Sequence, residues 1–197
     1  MLLVWIGVAI VVLLIVYVVI SYNRLVSLRN RIENGWAQID VQLKRRHDLI
    51  PNLVETVKGY ATHERETLDA VIRARNSAMA ASGPQDQAAA ENVVTGALKS
   101  VFALSEAYPD LKANENFLNL QEELTGTEGR IAYARQYYND AVFDYNTKIQ
   151  SVPSNLIANQ FSFNQRQYFE VDDASRPNVE IDFGTPPPAS PPSAPPA

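Results

Sequence analysis

The sequence predicts an all-α fold: an N-terminal transmembrane helix, an antiparallel bundle of three to four long helices, then an extended C-terminal segment and a disordered proline-rich tail. Three observations predict it. Residues 2–20 carry no charged or strongly polar side chain. Beyond them, large apolar residues recur at steps of three and four, the period of one helix face. Of the 12 prolines, seven stand in TPPPASPPSAPPA at the end of the chain, which leaves the body nearly free of helix-breaking residues.

Composition narrows the chemistry. The 197-residue chain has a net charge of −5 and no cysteine, so disulfides, thiolate metal sites and thiol nucleophiles are excluded. An acidic pI near 5.1 opposes general nucleic-acid binding, which needs basic surface to displace counterions.

Residues 1–23 read as a membrane anchor. LLVWIGVAIVVLLIVYVVI is long enough, at about 1.5 Å per residue, to cross nearly the whole ~30 Å hydrocarbon core. Trp5, Tyr17 and Tyr22 sit where interfacial aromatic anchors are found. No basic residue precedes the run and no small-residue cleavage pattern follows it, which argues against a cleaved signal peptide. Downstream, residues 24–46 hold Arg24, Arg29, Arg31, Lys44, Arg45 and Arg46 against Glu33 and Asp40. The positive-inside rule then puts the short N-terminus outside and the C-terminal region in the cytoplasm, in the cell (inner) membrane.

Residues 24–160 read as the bundle. Leu25, Leu28, Ile32, Trp36, Ile39, Leu43, His47, Ile50, Val54 and Val57 form a stripe close to an eleven-residue repeat, which asks for a nearly straight helix continuing out of the membrane. Pro51 cannot donate to the His47 carbonyl, so a kink or restart is expected there, with Asp48 as a cap and helix resuming to about Ala81. A split at Pro51 or at Gly59-Tyr60 makes four helices rather than three. Ser82-Gly83-Pro84 breaks the chain; a second helix spans about 87–107, and Tyr108-Pro109-Asp110 ends it. Asn114 caps a third, with Glu115 in its first turn, carrying Phe117, Leu120, Leu124, Ile131, Ala134, Tyr138, Val142, Tyr145 and Ile149. Gly126 and Gly129 interrupt it as markers of close helix approach. After Val152-Pro153, one more turn through Asn155–Ala158 is available.

Residues 161–184 alternate aromatic or apolar with polar residues, as an extended docking segment would, and hold most of the net charge between Phe169 and Phe183. Residues 185–197 have no apolar face and read as disordered or polyproline II.

Blocks of residues along the body resemble the LemA family of bacterial membrane-anchored helical proteins. They include QLKRRHDLIPNLV at 42–54 with Lys58-Gly59-Tyr60, YPDLKAN at 108–114, TEGRIA at 127–132, Tyr138-Asn139-Asp140, Tyr145-Asn146, and the aromatic segment near Phe163 and Phe169-Glu170. The resemblance implies an N-terminal transmembrane helix, a long-helix bundle and no assigned catalytic activity. Gly129 departs from the asparagine expected there.

Sites for chemistry are few. His47 and His63 are the only histidines, with Asp48, Glu55, Glu64 and Glu66 nearby, but neither belongs to a two-histidine or Glu-x-x-His helical motif. We therefore expect no metal, no cofactor, no catalytic residue and no small-molecule substrate. Lys44-Arg45-Arg46 reads as a solvated face or an intersubunit partner for acidic groups. Tyr133, Tyr137, Tyr138, Tyr145 and Phe143 read as bundle packing with hydroxyls on polar partners. Asn139 and Asn146, seven apart, read either as ordinary bundle residues or as fixing helix register or oligomer state. The expectation is a non-enzymatic single-pass scaffold that binds the lipid bilayer and either itself or another membrane protein. Its rivals are an adaptor for a membrane enzyme such as a protease, and a hydrolase using His47, Asp48 and His63.

Overall fold

A computed structural model describes residues 1–169; most of the expected docking segment and all of the proline-rich tail lie outside the described residues. Six helices occur among them: α1 Leu2–Lys58, α2 Arg65–Ala80, α3 Pro84–Ala107, α4 Pro109–Lys112, α5 Glu115–Gln150 and α6 Ser154–Gln160. The all-α bundle expected from periodicity is present, with a long apolar helix at its N-terminus.

Local chemistry sets most boundaries. Asn114 caps α5 as expected, its Oδ1 accepting from the Phe117 N–H at 2.9 Å. Gly83 joins α2 to α3 at φ +87° and ψ 163°, a conformation open essentially to glycine alone, and Pro84 starts α3 at once. The second helix thus begins three residues before the sequence suggests. The first helix ends at Lys58, and a turn through Gly59–Glu64 folds the chain back into α2.

Pro51 behaves differently from expectation. α1 runs through it as one 57-residue helix, with no restart and no cap at Asp48. The carbonyl that Pro51 orphans, that of His47, accepts instead from Arg75 Nε of α2 at 2.6 Å. A charged donor on a neighbouring helix replaces the missing backbone bond, and so offsets part of the ~3 kcal/mol that an interior proline costs.

α5 packs antiparallel along α1, matching Arg31 with Asp144, Gly35 with Tyr137 and Tyr138, and Arg46 with Glu128. Gly35 is the close approach: a Cβ there would meet Tyr137 Cδ1 and the Tyr138 Cα at 3.2 Å. Gly126 and Gly129, expected to serve that purpose, face open space. Trp36 correspondingly slides to the edge of the stripe, with its ring 5.7 Å from that of Tyr138.

Two apolar cores result. The lower one combines Leu25, Leu28, Ile32, Ile39 and Leu43 of α1 with Ile131, Tyr138, Val142, Tyr145 and Ile149 of α5, and is closed by Ile157, Phe163 and Phe169. The upper one combines Ile50, Leu53, Val54 and Val57 with α2, α3, Leu111 and the first turns of α5.

Candidate functional site

Between the two cores lies a buried layer of charge. The stripe on α1 passes from Leu43 through Arg46 and His47 to Ile50, so these two polar residues must point inward along with it. Arg46 is 1 % exposed and ion-pairs with Glu91 of α3 and Glu128 of α5, while its Nη1 also donates to Thr95 Oγ1 at 3.1 Å. His47 Nε2 stands 2.9 Å from Glu91 Oε1, a close polar contact that lacks the aligned N–H direction of a hydrogen bond. Gln87 Nε2 donates to that same oxygen at 2.8 Å and to the Ala78 carbonyl at 3.0 Å, which ties in the end of α2.

Burial pushes the Glu91 carboxyl up, but the His47 contact and the Arg46 guanidinium outweigh it and hold the carboxyl below its ordinary range. It is an anion held between the Arg46 guanidinium and the His47 ring, which makes it a poor general base and a good structural clasp. Lys44-Arg45-Arg46 is therefore not one solvated face: Lys44 and Arg45 are exposed, and Arg46 is the largest fully buried side chain among the described residues. The acidic partners come from this same chain.

The hydrolase reading finds no convergence. Asp48 is exposed, about 100° round α1 from its buried neighbour His47. His63 is exposed in the turn beyond Lys58, so about 16 Å of helix separates His47 from that turn. Glu55 pairs with Lys58 at 2.7 Å, and Glu64 accepts from Tyr108 Oη at 3.1 Å. Among the described residues, no group of three or more His, Asp and Glu is placed to hold a metal ion.

Asn139 and Asn146 do fix a register, but within the chain. Asn146 Oδ1 accepts from the Arg166 N–H and its Nδ2 donates to the Arg166 carbonyl, both at 2.9 Å. Asn139 grips Phe169 in the same way, at 2.8 and 3.4 Å. Tyr138 Oη donates to the Gln167 carbonyl and Tyr145 Oη to that of Asn164. Burial raises both phenols above their usual pKa, keeping them protonated as donors. Four side chains of α5 thus hold residues 164–169 as an extended strap along the lower core. Phe169 is fully enclosed against Trp36, with the Arg135 guanidinium 4.8 Å from its ring centroid.

Tyr133 and Phe143, expected in the packing, are instead 72 % and 60 % exposed. Tyr133 borders a groove of about 610 Å³ between α1 and α5, with Ala37, Val41, Gly126 and Gly129 among its walls. The two glycines widen this groove by omitting side chains from it. Nothing in the local sequence distinguishes a glycine that permits contact from one that leaves a hollow.

The sequence profile described as LemA family matches residues 35–183. Protein LemA of Metamycoplasma hominis is 27% identical over 162 residues, covering 80% of this chain and 73% of that protein. Magnetosome protein MamQ 2 of Paramagnetospirillum magneticum is 25% identical over 186 residues, covering 81% and 68%. Magnetosome protein MamQ of Magnetospirillum gryphiswaldense is 23% identical over 174 residues, covering 75% and 64%.

Proposed function

The chain belongs to the LemA family, and from that premise we propose that it is a non-enzymatic, single-pass membrane scaffold that pairs with further copies of itself through the α1–α5 groove. The N-terminal part of α1 supports the anchor: from Leu2 to Ile20 every residue is exposed, and the segment is long and apolar enough to cross a bilayer. The basic excess after it supports a bundle on the cytoplasmic side. Confinement to a membrane raises the effective concentration of copies, so a modest contact suffices for assembly.

The observation that carries the reading is the groove itself. Val41 and Tyr133 are 61 % and 72 % exposed at its edge, an apolar surface that a second bundle would cover. The charged layer supports a non-catalytic role, since the buried Glu91 carboxylate beside His47 is already neutralised by Arg46.

Filling the groove tests this. A Cβ at Gly126 or Gly129 meets nothing within 4 Å, so Gly126→Leu with Gly129→Leu should leave the bundle folded. Crosslinking of the full chain in native membranes should give ladders that this double variant loses. Strict monomers from the unmodified chain would overturn self-association, and a stoichiometric foreign protein in their place would favour the adaptor reading.

A further inference from the structure

The base of the bundle carries a second exposed apolar face, separate from the span. α5 runs antiparallel to α1, with Arg46 opposite Glu128 and Arg31 opposite Asp144. Continued to its end at Gln150, that register brings the chain level with about residue 24 of α1, only ~6 Å beyond Ile20 along the helix. α6 starts there. An independent contact fixes the same level: the Phe161 ring that follows α6 lies 4.9 Å from the ring of Tyr22, edge to face.

α6 is two-faced. Ser154, Ile157 and Ala158 are buried against the lower core. Away from the core, Val152, Leu156 and Phe161 are 80 %, 68 % and 50 % exposed. The headgroup zones add about 5–7 Å on each side of the hydrocarbon core. An element about 10 Å across, seated at this height, therefore lies within the interface.

Charge points the same way. Residues 21–32 include Arg24, Arg29 and Arg31 and no acidic residue, and residues 148–169 include Lys148 and Arg166 and again none. In a chain of net charge −5, the two segments that converge at the base are wholly free of carboxylates. Arg31 and Arg166 pair with Asp144 and Glu33 just above, and Arg24, Arg29 and Lys148 below them make a rim that suits anionic headgroups around an apolar contact.

We infer that α6 and its flanks form a foot, with Val152, Leu156 and Phe161 inserted into the bilayer interface beside the emerging α1, and that this foot seats the bundle on the membrane surface. The inference rests on the reading of residues 2–20 as the membrane span. Its occupant is the lipid bilayer, because the apolar face is continuous with that span through Tyr22.

The cysteine-free chain allows a direct test by single nitroxide labels on the full-length protein in vesicles of phosphatidylcholine and phosphatidylglycerol. The labels are placed by Leu156→Cys in the foot, Leu13→Cys in the span and Val93→Cys on the exposed surface of α3, all at exposed positions. The ratio of collisions with oxygen to collisions with a water-soluble nickel chelate should be several-fold higher at 156 than at 93, and highest at 13. A label at 156 that matches 93 while 13 remains in lipid overturns the foot and leaves the anchor standing. A label at 13 that matches 93 overturns both.

Discussion

The lower and upper cores are built from the same two long helices but solve different packing problems. Above the charged layer, α1 and α5 are joined by α2 and α3, so an apolar interior forms from amphipathic helices alone. Below it α1 and α5 supply most of the wall, with Ala88 of α3 reaching in, and these alone do not enclose the core. The lower tier is completed by α6, which packs Ile157 and Ala158 inward, and by an extended strap held through side-chain amides and phenols. The comparison teaches that this bundle's base owes its interior to a segment that is not helical, and the two tiers should therefore fail separately.

Arg46 joins the tiers, and its removal should have the largest effect. Arg46→Ala leaves Glu91 buried without its guanidinium and should cost about 3–5 kcal/mol. Urea unfolding followed by hydrogen exchange should show both tiers weakened, and Arg46→Met with Glu91→Leu should recover much of the loss. An Arg46→Ala chain as stable as the parent would mean that the layer is not a joint.

Gly35→Leu attacks the lower tier alone. A side chain pressed on the Tyr138 backbone should cost about 1–3 kcal/mol, with exchange rising in α5 near 138–145 and unchanged in α2. Arg75→Ala is the matching test above: loss of a charged donor to the His47 carbonyl should cost about 1.5–3 kcal/mol and raise exchange around Pro51. Comparing it in a Pro51→Ala background sharpens the point, since a restored backbone donor should make Arg75 nearly dispensable.

These two positions also show what the sequence could and could not reveal. Asn114, Gly83-Pro84 and the three-four spacing of α5 act through neighbours in the chain, so their consequences were legible. Pro51 was misread because its local rule counts the lost bond and not the donor, which arrives from α2. Arg46 was misread because Lys44 and Arg45 beside it truly are solvated. The signal lay in the stripe, whose inward positions between Leu43 and Ile50 are Arg46 and His47: a polar residue there must be buried and paired. Its partners, Glu91 and Glu128, carry no such mark. The strap's first contact residues were visible as an aromatic–polar alternation, but the two asparagines that hold them pointed equally well to another chain.

The smallest effects separate the tiers most cleanly. Asn146→Ala should cost about 1–2 kcal/mol and act locally, speeding protease cleavage within 161–169 while the urea midpoint of the upper tier stays put. Acid should act on the joint. Because the folded Glu91 carboxyl titrates below its ordinary value of 4.5, the stability it contributes is complete above that value and is lost as pH falls through the lower, folded one. A Glu91→Gln chain should lack that part of the acid transition, as circular dichroism against pH would record.

The unbroken course of α1 has a mechanical consequence. At 57 residues it is a strut of roughly 85 Å, and no hinge separates the portion proposed to lie in lipid from the portion that carries the charged joint. Membrane helices adjust to bilayer thickness by leaning, commonly by about 20°. A lean of ~10° at the surface would swing the distal tip sideways by ~10 Å, so the molecule would act as a pointer whose angle reads the membrane beneath it.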